Sequence, residues 1–579
     1  MVLAGRENEC RQSLVLMTAS NYHTRLNSTA ITIVCYLVLV PVLGVLLNRK
    51  VSSAASWATA SGGLGIVMIA AGVAGTRIGG AGTYGVAGAV MNTGLWNIWY
   101  GVTTFLALAL VGLFFTRPYR RLQLNTIAEL FQQRYGSSRC GWLTSLCVQT
   151  EYLVINVIEP LLIGIIVSNV LGIELLAGIA IGSVVIILAT SLSGLRGTSF
   201  TNVIHCTVII FGLAAVAIIG AQQMGGWSEV VRQATASLEA SQRNADQWWS
   251  LAGLGVFPII AMFFSATIHT PAASVYVNFS SSARSESILI PAFLIAGVLA
   301  ACMSVLSALI GIEALGKYGV DSGIAGYNSV TRIAMDTGPF IGGIATAAVL
   351  AALISSGGPI LLAGSTMLVN DWIPGSGRFS HVKKLRAYRI TSVIYGVVAG
   401  LIACYFGYVV GAASVLQWLL LGFAMVVPPA IAIANIFYLR GTTEKAVFWG
   451  IALGYGLGLI TWVLDKQLWH FEHDVTAYVT TLVPLVAIPG ISFITHLVQA
   501  GTSAKLHKSS IISWILTCLL AFGAWQMNHY FGLMSSLVCA LVVSMLPLVL
   551  FPTAWLYRYA QHAVNERAQS FYQRMQMPR

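Results

Sequence analysis

Charge is what this chain carries least. Aspartate, glutamate, lysine and arginine make up 9% of its 579 residues, where a soluble domain carries about a quarter. No polar stretch is long enough to bury a core of its own, so a large soluble catalytic or sensory domain is excluded. The nine cysteines scatter singly through apolar segments, apart from Cys10, and no CxxC pair occurs. They read as small buried hydrophobes, not as a disulfide framework. A P-loop, paired metal ligands at useful spacing and a nucleophile motif with its base are also missing, so the chain is not read as an enzyme. His470 to Asp474, in WHFEHD, gathers ring nitrogens and carboxylates but lacks zincin spacing. No repeated filter of the kind a channel needs is visible.

What is present is apolar sequence, in runs of about 20 residues from end to end. With 57 glycines available for close helix contact, this is an all-α polytopic membrane protein. Fifteen spans are expected: 29–47, 57–90, 96–115, 143–167, 172–193, 201–222, 251–275, 288–312, 341–369, 388–410, 415–438, 444–464, 475–498, 509–527 and 530–555. No small-residue cleavage site follows the first apolar run, so it is expected to be a retained helix and not a signal peptide.

Placing the N-terminus outside and alternating puts 22 lysines and arginines on the cytoplasmic side and 8 on the outer side. That bias supports an odd number of spans and a cytoplasmic C-terminus. It also assigns the net charge of +12 to anionic lipid headgroups and not to nucleic acid. The expected location is the plasma membrane, or the cytoplasmic membrane of a prokaryote.

The stretch Val349–Asn370 is long enough to span, yet Ser355, Ser356, Gly357, Gly358 and Pro359 occupy its middle. Such polarity is tolerated only where protein or a water-filled cavity covers it. Two adjacent hydroxyls beside a helix-loosening Gly-Gly-Pro suit a small cation or a polar solute; a small-residue packing face is the alternative. Arg77, in GVAGTRIGGAGTYG, costs at least about 2.5 kcal/mol to insert. The glycines around it free backbone carbonyls, and an interrupted helix with a buried charge reads as a transporter binding site. Its candidate partners are Glu151 and Glu159, which flank Asn156. An Arg77–Glu159 pair relieves two desolvation costs at once; alternatively Glu159 carries a proton.

His205 and His269 are single histidines near polar kinks and read first as packing residues. Thr126–Gly136 is an amphipathic stretch expected to lie at the cytoplasmic interface behind a Thr126–Glu129 capping box. The segment Ser193–Thr201 reads as a tight cytoplasmic turn.

Four of these stretches together resemble the sodium:solute symporter family, which includes proline, pantothenate, sugar, sialic acid and iodide carriers. They are TRIGGAGTYGVAGAVMNTGLWNIWYG, RPYRRLQLNTIAELFQQRYG, SGLRGTSFTNVIH and LAALISSGGPILLAGSTMLVND. The resemblance covers residues 57–440 and implies a LeuT-like inverted repeat of five plus five helices. Its parts are a tail and extra helix (1–56), a first repeat (57–222), an outer loop (223–250), a second repeat (251–440), accessory helices (441–556) and a cytoplasmic tail (557–579). One helix precedes the repeat and four follow.

The resemblance further implies a sodium site made of the Gly75, Ile78 and Ala352 carbonyls with the Ser355 and Ser356 hydroxyls. Five neutral oxygens suit a hard cation. Members that use a second sodium carry Thr-Asp in the fifth core helix; Thr201-Asn202 here argues for one coupling ion. Arg77 stands where the family is neutral or acidic, and its charge opposes a nearby sodium unless Glu159 or an anionic solute offsets it. The expected solute contacts are Gly79, Gly80, Trp96, Tyr100 and Asn156, together with Phe264 and His269. The expected function is sodium-coupled symport of a small polar or anionic organic solute by a monomer. The alternatives are proton-coupled or sodium-independent transport on the same scaffold, or a non-transporting receptor or assembly protein.

Overall fold

The computed structural model describes residues 28–47, 51–253, 255–320, 329–409, 415–464, 475–500, 515, 519, 537–559 and 566–575. Apart from short connections and one isolated bridge between Leu64 and Ala283 they are helical, as lipid requires of a chain whose backbone groups must be satisfied within each segment. The WHFEHD loop and nearly all of the expected 509–527 span lie outside the described residues.

A lone helix, α1 (Ser28–Leu47), comes first, followed by the short α2 (Ala54–Thr59). The first core helix is α3 (Ile66–Gly80), a π turn at Ala81–Gly85, and α4 (Val86–Thr93). The second is α5 (Trp99–Leu110) continuing through a π turn into α6 (Thr116–Arg121). After α7 (Ala128–Tyr135) come the long α8 (Arg139–Leu171) and α9 (Leu175–Gln223). Two outer helices follow, α10 (Trp227–Ala240) and α11 (Ala245–Trp249). The second set opens with another broken helix: α12 (Val256–Phe263), a π turn at Phe264–Ile268, and α13 (Ser274–Ser282), bent by 49°. Then come α14 (Leu289–Tyr318), α15 (Ser329–Asp336), α16 (Pro339–Met367), α17 (His381–Val409) and α18 (Val415–Tyr438). The remainder is α19 (Glu444–Leu464), α20 (Val475–Ala500), α21 (Leu537–Tyr559) and α22 (Glu566–Met575).

Among the described residues, ten helices are long and apolar enough to cross a membrane, or eleven with the bent pair. This corrects the count of fifteen read from apolar runs. The runs at 172–193 and 201–222 form the two legs of one 49-residue helical stretch, α9. The expected turn at Ser193–Thr201 falls on the break between them, at Gly194 (φ 62, ψ −171), with helical backbone resuming after it. A helix of that length extends about 74 Å, more than twice the hydrocarbon thickness of about 30 Å, so the break at Gly194 divides it into two legs. Within α1 and α21 the stretches Thr29–Leu43 and Leu546–Tyr557 are apolar.

Other expectations shift as well. The outer loop at 223–250 is largely helical, and α10 packs on α14. Glu313, assigned by hydropathy to an outer loop, is fully buried within α14. The expected Thr126 capping box is not formed, and α7 starts without a side-chain cap. The Glu129 carboxylate accepts the Asn125 N–H at 2.9 Å, but the Thr126 hydroxyl turns to Asp371 at 2.8 Å. Burial pushes the Glu129 carboxyl above its ordinary range, and the Asn125 bonds oppose that rise. Ala128, Leu130, Phe131 and Arg134 are buried, so α7 packs one face against the protein.

The helices meet closely because small residues line their crossings, which is how association is achieved in lipid. Where α9 crosses α16, a Cβ on Gly212 would come within 2.5 Å of the Ala348 Cβ. His205 joins α1 to the core through a 2.5 Å bond between its Nδ1 and the Tyr36 hydroxyl, a packing role.

Candidate functional site

The first core helix breaks at Gly79, whose φ of 39° and ψ of −165° fall in a region an L side chain rarely adopts. The break frees the Gly80 N–H, and buried Glu159 on α8 fills the gap. Gly80 N–H donates to both carboxylate oxygens at 3.1 Å. The Ser356 hydroxyl on α16 reaches Glu159 Oε1 at 2.7 Å. One carboxylate thus ties the broken helix to the third and eighth core helices.

One turn before the break, the Ser355 hydroxyl donates to Gly75 O at 3.0 Å and to Ala352 O at 2.8 Å. Gly75 allows that approach: a Cβ there would lie 2.7 Å from Asn202 Nδ2 and 3.0 Å from Ser355 Cβ. Asn202, on the second leg of α9, donates to Gly72 O at 3.3 Å and Ser355 O at 3.0 Å. The structure therefore brings together Gly75, Ala352, Ser355 and Ser356. Ile78 is buried on the next turn, and its carbonyl accepts the Ala81 N–H. These are neutral, buried oxygens on α3 and α16, a donor set that fits a hard monovalent cation.

Arg77 does not pair with Glu159. Its Nη1 lies 3.2 Å from His269 Nε2, its Nη2 donates to Ala266 O, and the guanidinium carbon sits 4.8 Å above the Phe423 ring. The break explains the change of partner. Backbone N–H and a serine hydroxyl satisfy Glu159, while the Arg77 side chain turns toward the bent sixth helix. His269 Nδ1 lies 2.6 Å from Ser265 O, a group that only accepts, so Nδ1 carries the proton and Nε2 accepts from Arg77. The imidazole stacks on Phe423 at 4.0 Å. Glu151 Oε1 stands 3.9 Å from His269 Nε2.

These groups surround a narrow cavity of about 20 Å³ at the centre of the protein, room for about one water. Arg77, Ile78, Gly79, Glu151, Glu159 and Ser356 line it, with Tyr276 and an apolar wall of Ile155, Val275, Ile360, Leu419 and Phe423. Tyr100 is fully buried nearby, but Trp96, Asn156 and Phe264 are placed elsewhere. Trp96 Nε1 donates to Thr93 O, Asn156 to its own helix at Tyr152 O, and Phe264 stacks edge-on to Tyr478. Tyr276, Leu419 and Phe423 escape sequence reasoning because an apolar wall in a membrane helix reads like any lipid-facing or packing residue.

Comparison with known proteins follows from this geometry. Residues 57–454 match the model of the sodium:solute symporter family. Over 180 residues the chain is 22% identical to an uncharacterized symporter, YwcA, of Bacillus subtilis (strain 168), covering 31% of this chain and 34% of that protein. Over 175 residues it is 25% identical to the sodium-dependent multivitamin transporter of Oryctolagus cuniculus, covering 28% and 27%. These matches span about a third or less of the curated relatives' own length. A solved substrate-bound, outward-open Na+-coupled sialic acid symporter superposes with a TM-score of 0.67 at 17% identity, over 83% of this chain and 99% of its own. At that identity the likeness is one of fold: an all-α membrane protein built on a LeuT-like inverted repeat.

Proposed function

The chain belongs to the sodium:solute symporter family, and from that premise we propose that it is a secondary active transporter, coupling sodium to a small organic solute by alternating access. The observation that carries this reading is the Ser355 hydroxyl bridging Gly75 O and Ala352 O beside the Gly79 break. Sodium, a co-substrate here, would be held among the Gly75, Ile78 and Ala352 carbonyls and the Ser355 and Ser356 hydroxyls, the serine O–H bonds turning away from the ion and keeping their protons. The helix break supplies carbonyls and the serines supply neutral oxygens, as discontinuous helices do in transporters.

Sodium and solute enter from the outside between the first and sixth core helices. By holding α3 to α16, sodium favours the solute-competent state, and linkage makes the solute favour sodium equally. Closure then exposes both to the cytoplasm. The Asn202 amide donates where a carboxylate would accept, which supports a single coupling sodium. The Arg77 charge is offset by Glu151 within the same cavity.

A second reading has one observation in its favour. Ser356 Oγ lies 2.7 Å from Glu159 Oε1 and 3.1 Å from Leu353 O. The same spacing serves a carboxylate accepting from Ser356, or a protonated acid donating to a serine that in turn donates to Leu353. Proton coupling through Glu159 follows from the second arrangement.

Purified protein in liposomes, given a metabolite mixture under imposed gradients, separates the two. Sodium-driven uptake lost in Ser355→Ala supports symport with sodium. Uptake driven only by protons, and lost in Glu159→Gln, transfers the coupling to Glu159. No gradient-driven uptake at all overturns the transporter reading in favour of a receptor or assembly role.

A further inference from the structure

The central cavity holds two opposite charges that are not paired with each other. Arg77 and Glu151 both line it, and each is at least 95% buried. Among the described residues no ion pair joins them, and each keeps a polar atom without a hydrogen-bond partner: Arg77 Nε and Glu151 Oε2. His269 neighbours both, with Nε2 3.2 Å from Arg77 Nη1 and 3.9 Å from Glu151 Oε1. His269 is itself held by Ser265 O and by stacking on Phe423. Buried charges are retained where something completes them.

We propose that the solute is a zwitterion of the amino-acid class, its carboxylate on the Arg77 guanidinium and its ammonium on Glu151. This deepens the transport reading and rests on it. A monocarboxylate satisfies Arg77 but sets a second anion beside Glu151, and an amine satisfies Glu151 but faces Arg77. Only a solute bearing both charges completes both groups and leaves the charge balance of the cavity unchanged. Glu151 Oε2 is an acceptor that needs an N–H, which selects a primary or secondary ammonium over a quaternary one. The remaining wall, Ile155, Val275, Ile360 and Leu419, is apolar; with room for about one water the cavity is closed in this structure, and a solute with an aliphatic side chain occupies it in a more open state of the transport cycle.

The test uses full-length protein in liposomes with an inward sodium gradient and three solutes of one skeleton: leucine, 4-methylpentanoate and isopentylamine. A parallel set offers the other common amino acids with their matched acids and amines. Accumulation is read by mass spectrometry. A site built to hydrogen-bond a substrate group rejects the analogue lacking it by a large factor, at least about 100-fold. The expected result is uptake of one or more amino acids with that margin over both analogues, and a margin over the matched acid that collapses in Glu151→Gln. Equal uptake of an acid or an amine by the wild type overturns the proposal without reference to any variant. A whole-cell metabolite extract run alongside separates the two readings. Sodium-driven accumulation there of a solute lacking either charge leaves symport standing and removes the zwitterion. Accumulation of nothing in either experiment removes symport, and the zwitterion with it.

Discussion

Ser356 and Glu159 lie 2.7 Å apart, hydroxyl oxygen to carboxylate oxygen, across the interface between α16 and α8. Neither residue is near the other in sequence, and neither belongs to the broken helix they flank. Their contact places an ionisable group beside the oxygens assigned to sodium. Coupling ion and helix break are thereby mechanically joined, because what binds among these oxygens changes what the broken helix is tied to.

Ser355→Ala and Ser356→Ala are expected to separate by effect. Ser355 bridges Gly75 O and Ala352 O directly, so its loss is expected to raise the half-activating sodium concentration about tenfold or more, a change of about 1.4 kcal/mol. Ser356→Ala also weakens sodium activation, and additionally takes a hydrogen bond from Glu159, worth about 1–3 kcal/mol where the acceptor is buried. Sodium titrations of uptake, paired with unfolding curves in detergent, read the two effects apart. Unchanged sodium activation in both variants rules out this site.

Glu159→Ala leaves the Gly80 N–H without its acceptor and the Ser356 hydroxyl with only the Ala352 and Leu353 carbonyls. We expect it to destabilise the protein by about 1–3 kcal/mol, whereas Glu159→Gln, which keeps one acceptor oxygen, costs less. If sodium alone drives transport, Glu159→Gln retains uptake under a sodium gradient. Loss of all uptake in Glu159→Gln with a wild-type unfolding curve assigns the coupling proton to this residue.

Much of this site is legible in the sequence, and the reasons are local. Glycines clustered around Arg77 announce an interrupted helix, and the Ser355-Ser356-Gly-Gly-Pro run announces oxygens where lipid would forbid them. Those signals locate both halves of the candidate sodium site. The partner of Arg77 is not legible, because which carboxylate or ring faces it depends on how α3 turns at Gly79. Sequence offers Glu159 as the natural counter-charge, yet the freed Gly80 N–H captures it and leaves Arg77 to His269, 192 residues away. The break between the two legs of α9 is legible for a local reason, because the polar Ser193–Thr201 stretch interrupts the apolar run and the backbone departs from helix at Gly194 within it.

At the C-terminal end of α5–α6, the Arg121 guanidinium forms a two-pronged pair with Glu286, Nε to Oε1 and Nη2 to Oε2 at 3.0 Å each, and its Nη1 also donates to Met575 O at 2.6 Å. It therefore joins the two halves of the repeat and the C-terminal helix α22. Both side chains are partly exposed, so a double-mutant cycle of Arg121→Ala and Glu286→Ala is expected to give a coupling of only about 0.2–1 kcal/mol. Arg121→Ala should also release α22 to proteases, while Glu286→Ala should not, because only the arginine holds Met575. Equal protease sensitivity in the two variants contradicts that division.

Gly75→Ala tests whether close approach at the candidate sodium site is required. The new Cβ would lie 2.7 Å from Asn202 Nδ2 and 3.0 Å from Ser355 Cβ, distances real Cβ atoms do not hold without displacement. Overpacking of this kind costs about 1–3 kcal/mol, and it separates α3 from α16 where the Gly75 and Ala352 carbonyls must converge. Sodium-dependent uptake should therefore fall more steeply than stability. Asn202→Ala removes the nearer obstacle and should recover part of the stability of Gly75→Ala. It should recover less of the sodium dependence, because Ser355 still opposes the added methyl. Full recovery of both in the double variant means that Asn202, and not the spacing of the two helices, sets the cost. Wild-type sodium dependence in Gly75→Ala alone means that Gly75 O is not a ligand.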